Sequence, residues 1–258
     1  PRLPNIPRDS VFALCLDGGG VRGLITLEML LAIHRRMKQL QPDCAGIEEY
    51  FDYVAGTSIG GLITLSCTAL KASLEAGRAA VFKVADDVFS TTPTFTSAVS
   101  DAIAKDTFGL EQKISDISHP RIIIHSVDAT TNPPILHKIC NFGRYLSNWK
   151  VWEAARATTA APIYFPPYKD RFIDGGVMAN NPTLSAMTEI FQQAHIEGKA
   201  VNLGFVLSLG TGSTSPLPVD SVEVYVPTLS NFFTSIANIP KTLSGLGCVL
   251  NMFISQST

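Results

Sequence analysis

The chain has 258 residues, 46% of them hydrophobic and only 16% charged, with a formal net charge of -2. The length is near the upper limit for one hydrophobic core, and the composition supplies a large one. A charged fraction below the roughly 25% of an average soluble domain points to a large core, an apolar surface meeting lipid or protein, or both. The near-neutral balance carries no polycationic footprint for nucleic acid. Five cysteines, Cys15, Cys44, Cys67, Cys140 and Cys248, follow no zinc-like spacing and read as reduced, mostly buried thiols in a cytosolic setting. No apolar run reaches about 18 residues, and the proline-rich start has no signal-peptide pattern. A first residue of proline rather than methionine suggests a fragment or processed chain.

Residues 1–10 form a proline-punctuated lead-in, and the apolar run 11–16 predicts a buried strand. That strand ends in Asp17-Gly18-Gly19-Gly20-Val21-Arg22-Gly23, after which residues 24–40 carry Leu27, Leu30, Leu31 and Met37 at helical spacing. A second strand, 53–55, runs into Gly56-Thr57-Ser58-Ile59-Gly60. A Gly-x-Ser-x-Gly elbow needs this spacing because the strand-to-helix turn is sharp, and it leaves the hydroxyl projecting over the sheet. Residues 60–70 read as a nearly all-apolar buried helix and 73–89 as an ordinary amphipathic one. The Thr/Ser/Pro-rich segment 90–100 reads as the least structured. Phe95 within it is either a substrate-side aromatic or a packed loop residue. A helix over 100–108, a central strand over 121–128 and an edge or hairpin strand over 135–141 follow. A helix over 151–159 stops before Pro162, and residues 168–173 lead into Asp174-Gly175-Gly176. Pro182 opens a helix over 183–194. A strong strand over 203–209 ends in Gly210-Thr211-Gly212, and an apolar tail occupies 232–253. This succession predicts a three-layer α/β domain with a largely parallel sheet flanked by helices.

Three parts carry chemistry. Ser58 at the elbow can be a nucleophile or simply a helix N-cap. The run Gly18-Gly19-Gly20 with Gly23 offers successive amides at a strand-to-helix junction, a ready pocket for an oxyanion or a phosphate. Its spacing is not GxGxxG and no Gly-Lys-Ser/Thr follows, so a dinucleotide or P-loop reading ranks last. Arg22 adds positive charge beside those amides, or is a solvated residue at a helix start. Asp174 can hold and deprotonate a serine hydroxyl, although a lone Asp-Gly-Gly is also an ordinary turn. For a Ser–His–Asp triad His125, inside a strand, and His137, beside one, are the histidines to suspect; His34 and His195 read as structural, although the usual Ser–acid–His order needs a histidine after Asp174 and His195 alone follows it.

The motifs Asp17-Gly-Gly-Gly-Val-Arg-Gly23, Gly56-Thr-Ser-Ile-Gly60 and Asp174-Gly-Gly176, in this order, resemble the patatin-like phospholipases. The resemblance is strongest to the calcium-independent phospholipase A2 (group VI) branch. Supporting stretches are Ala160-Ala161-Pro162-Ile163-Tyr164-Phe165, Val177-Met178-Ala179-Asn180-Asn181-Pro182-Thr183 and Val206-Leu207-Ser208-Leu209-Gly210-Thr211-Gly212. The likeness covers residues 12–212 and implies a patatin-like catalytic domain over 11–212. It also implies a Ser–Asp dyad in which Ser58 attacks an acyl ester, Asp174 is the base and the amides of Gly18, Gly19 and Gly20 hold the oxyanion. Arg22, Gly23, Gly56, Gly60, Gly175 and Gly176 would support them. The expected reaction is release of fatty acid from glycerophospholipids at a membrane surface, with no metal or cofactor. Lysophospholipase, thioesterase or transacylase activity shares the same acyl-enzyme, and a non-catalytic lipid-binding or scaffolding domain is the reading from another class.

By the same resemblance the protein is expected in the cytoplasm, peripherally membrane-associated, with calmodulin a regulator of some relatives. The tail 232–253, whose only basic residue is Lys241, fits a basic calmodulin-target helix poorly. Low charge slightly favours a homo-oligomer. The family's domain continues past residue 212 with further strand and helix, so the fold is expected to be truncated or to end unusually. Residues 213–258 are expected to be part of the same domain.

Overall fold

The computed structural model describes residues 7, 10–89, 96–146, 148–162 and 164–212, the side chains of 83–89 and 145 excepted. Most of the lead-in, Phe95 and the whole stretch from 213 onward, including the tail 232–253, lie outside the described residues. Of the two units into which the chain divides, Pro1–Thr211 and Gly212–Thr258, the first carries the fold described below.

The elements follow in order β1 Ser10–Leu16, α1 Gly23–Leu40, β2 Tyr53–Thr57, α2 Ile59–Thr68, α3 Leu74–Phe89 and α4 Ser97–Phe108. Then come β3 Arg121–Asp128, β4 Ile135–Cys140, α5 Val151–Thr158, β5 Phe172–Asp174, the single turn α6 Gly176–Ala179, α7 Thr183–Ile196 and β6 Asn202–Leu209. The expected helix over 100–108 starts three residues earlier, because the Thr96 side chain caps it by accepting the Val99 N–H at 3.3 Å. No described helix is long and apolar enough to cross a membrane.

The sheet runs β4-β3-β2-β1-β6, with β5 also on β3. Strands β3, β2, β1 and β6 are parallel, while β4 and β5 join β3 antiparallel, so the sheet is mixed. Period-2 alternation explains the three layers. Leu14, Leu16 and Val54 point to the face covered by α1 and α2, joined along that face by Ile122 and Ile124 under α5. Ala13, Cys15, Tyr53, Ala55 and Ile123 point to the opposite face, against Ala186 and Ile190 of α7. Strand β1, covered on both faces, reads over residues 11–16 as a continuous apolar run instead of an alternating one.

The register places the site. Thr57, the last residue of β2, sits opposite His125 of β3, and Asp174, the last residue of β5, sits opposite Ser126. Strand β5 thus takes over beside β3 where β2 turns away into α2. The elbow itself depends on close approach: a Cβ on Gly60 would lie 2.2 Å from the carbonyl oxygen of Leu16. Gly60→Ala is therefore expected to cost at least about 2 kcal/mol, read as a lowered midpoint in urea unfolding. An unchanged midpoint would mean that α2 can slide off β1 freely.

Candidate active site

Ser58 lies between β2 and α2 with φ 54° and ψ -122°, a backbone conformation strained for any residue but glycine. Its hydroxyl makes no cap bond to the helix; it donates to Asp174 Oδ2 at 2.6 Å. Sequence alone could not separate the N-cap from this arrangement. Asp174 is held on every side. Its backbone N–H donates to the Ala160 carbonyl at 3.0 Å, and its Oδ1 accepts the Gly176 N–H at 2.7 Å. The carboxyl is 2% exposed, and burial pushes its pKa up to about 6 even though the Ser58 and Gly176 bonds pull it down. A carboxyl titrating there can accept a proton near neutral pH far better than an ordinary aspartate.

The glycine loop after β1 stands against the elbow, a Cβ on Gly18 falling 3.2 Å from that of Ser58. Its three amides are not equivalent. Gly18 is buried and its N–H donates to the Asn180 carbonyl at 3.0 Å, which commits it. Among the described residues no acceptor is bonded to the N–H of Gly19 or Gly20, and both residues are at least partly exposed. Arg22 is not simply solvated: its Nε donates to the Thr211 carbonyl at 2.9 Å. Gly23 packs on Ile59, Gly56 on the first turn of α2, and Gly175 on the His125 carbonyl.

Two buried side chains beside the site were not among its expected residues. Thr158, at the end of α5, accepts the Ser58 N–H at 2.9 Å and donates to the His125 carbonyl at 2.6 Å, tying the elbow to β3. Nothing in its local sequence signals this, since the partners are 100 and 33 positions away. Thr158→Val keeps the shape and orphans both backbone groups. A loss of about 2 kcal/mol or more in chemical denaturation is the expected result. The second is Asp17, 2% exposed, whose Oδ1 has no partner and whose pKa burial raises to about 6 despite the Asn181 amide near Oδ2.

Among the described residues no histidine bonds to Ser58 or Asp174. His125 is sealed in β3 with Nε2 2.9 Å from Ser185 Oγ, and burial drops its pKa to about 3. His137 stacks at 4.9 Å on Phe172 and 5.6 Å on Trp149, and His34 meets the Ala45 carbonyl. His195 is in the last turn of α7.

Fold and site define an α/β protein with a strand–elbow–helix serine bonded to a buried aspartate at the carboxyl ends of parallel strands. Residues 14–187 match the model of the patatin-like phospholipase family, and the chain belongs to that family. It is related to the calcium-independent phospholipases A2. Over 241 residues it is 36% identical to the "85/88 kDa calcium-independent phospholipase A2" of Rattus norvegicus, covering 83% of this chain and 29% of that protein. To the "Intracellular phospholipase A2" of Caenorhabditis elegans it is 32% identical, over 95% of this chain and 22% of the relative. A "cGAMP-activated phospholipase" of Escherichia coli is 29% identical, over 80% of this chain and 63% of the relative. The chain thus spans less than a third of the length of the rat and nematode proteins.

Proposed function

We propose that residues 11–212 form the catalytic domain of a serine acyl hydrolase that releases fatty acid from glycerophospholipids through Ser58 and Asp174. The observation that carries this reading is the 2.6 Å bond from Ser58 Oγ to a buried carboxylate whose pKa is raised to about 6. Family membership and relatives named as phospholipases supply the substrate class.

In this mechanism Asp174 takes the Ser58 proton as Oγ adds to the ester carbonyl. The tetrahedral oxyanion is received by the N–H groups of Gly19 and Gly20, a narrower set than the three glycines the resemblance implies, because the Gly18 amide is spent on Asn180. Protonated Asp174 then returns its proton to the leaving lysophospholipid oxygen as the C–O bond breaks. Water, deprotonated by Asp174, attacks the acyl-serine and frees the fatty acid and Ser58. An alcohol or lysolipid acceptor in place of water makes the same intermediate a transacylase.

The test is fatty-acid release from mixed phospholipid vesicles in the presence of chelator, run beside fluorophosphonate labelling followed by intact mass. A single adduct with chelator-resistant release is expected. A folded protein that neither labels nor hydrolyses would replace this reading with a lipid-binding scaffold.

A further inference from the structure

The Gly18–Gly19 peptide unit has a problem that its sequence creates. A trans peptide points its C=O and N–H in opposite directions, so the orientation of the Gly18 carbonyl decides where the Gly19 N–H aims. Two consecutive glycines let that plane rotate by half a turn with little steric resistance. Rotated, it would aim a carbonyl oxygen, with its partial negative charge, where the Gly19 N–H now points.

The loop after β6 opposes that rotation. The Thr211 hydroxyl donates to the Gly18 carbonyl at 2.9 Å, and Asn180 Nδ2 lies 3.4 Å from the same oxygen. Thr211 is 5% exposed, and its side chain fills the space a Cβ on Gly19 would need, with Oγ1 only 2.3 Å from that point. Its own loop is anchored twice: Arg22 Nε holds the Thr211 carbonyl, and Thr26 Oγ1 donates to the Gly210 carbonyl at 3.0 Å. A hydroxyl with this anchoring has one free rotor to satisfy, and it is spent on the Gly18 oxygen.

We propose that Thr211 is a positioning residue that locks the Gly18–Gly19 peptide with its N–H turned toward the oxyanion. The proposal rests on the acyl-hydrolase reading for its kinetic consequence, and on geometry alone for the peptide orientation.

Thr211→Val and Thr211→Ser separate the hydroxyl from packing. Valine keeps the volume against Gly19 and the backbone bond from Arg22, losing only the hydroxyl; serine keeps the hydroxyl. The expected result is a kcat about 10- to 100-fold lower in Thr211→Val with KM within about 2-fold, and near wild-type kcat in Thr211→Ser. Affinity for a trifluoromethyl ketone, which forms a tetrahedral adduct on serine, should fall in parallel with kcat. Unchanged kcat in the valine variant overturns the proposal, as do equal losses in both variants accompanied by equal drops in Tm. A crystal structure of Thr211→Val is the second arm: the Gly18–Gly19 plane is expected to be rotated or split between two orientations. Should wild type fail to hydrolyse any ester, the function reading falls and this structural arm decides alone. A single, unrotated peptide there overturns the lock.

Discussion

Replacing Ser58 by alanine is expected to abolish fluorophosphonate labelling and to lower fatty-acid release by roughly 10⁴- to 10⁶-fold. In the proposed mechanism Ser58 Oγ is the acyl carrier, and alanine removes it while leaving the elbow standing. The bond from the Ser58 backbone N–H to Thr158 survives, because it involves no side-chain atom of residue 58. Buried Asp174 loses one of its donors, so a modest drop in Tm accompanies the loss of activity. Residual release within about 10-fold of wild type would show that another group attacks the ester, and the role proposed for Ser58 would be abandoned.

Asp174→Asn should separate function from stability. Asparagine is nearly isosteric: its oxygen can accept the Gly176 N–H while its amide faces Ser58 Oγ. It cannot take the serine proton, so kcat/KM is expected to fall by about 10²- to 10⁴-fold. In wild type the activity should decline below about pH 6, where Asp174 holds its own proton, and this acid limb should vanish from the residual activity of the variant.

Stability moves the other way. The Asp174 pKa is raised in the folded chain from 3.8 to about 6, so between these values the folded state binds more protons than the unfolded one. The stability owed to protonation is fully present below about pH 4 and is lost as pH rises through 6. About two pH units correspond to on the order of 3 kcal/mol of cost for ionising the buried carboxyl at neutral pH. Asp174→Asn escapes that cost, so its Tm should exceed wild type at pH 8 and converge with it near pH 4. Asp17, raised similarly, is common to both proteins and cancels in the comparison. A variant less stable than wild type at pH 8 would mean that the carboxylate is better satisfied than its burial implies.

Local patterns made much of the fold legible. The strand 11–16 is fully apolar and the run at 121–128 carries three consecutive isoleucines, Ile122, Ile123 and Ile124, all buried, and each became a strand with nearly those limits. The elbow was readable because only glycine fits at positions 56 and 60, where neighbouring backbone leaves no space for a Cβ. The start of α4 was less so. Its first turn, Ser97-Ala98-Val99, lacks a hydrophobic stripe and depends on the Thr96 cap. The antiparallel joining of β5 was hidden because three residues carry too little pattern to state a direction.

The amino-acid sequence by itself determined the alternation of strands and helices, the strained serine turn and the existence of two glycine-rich loops, since each follows from short-range sterics and periodicity. Only the tertiary structure decided that Ser58 meets Asp174, 116 positions away, because that meeting depends on β5 replacing β2 beside β3. It also decided which amides stay available. Gly18 spends its N–H on Asn180 and its carbonyl on Thr211, partners 162 and 193 residues distant. Hydrogen-bond partners at such separations are set by how the chain packs, and no local pattern encodes them.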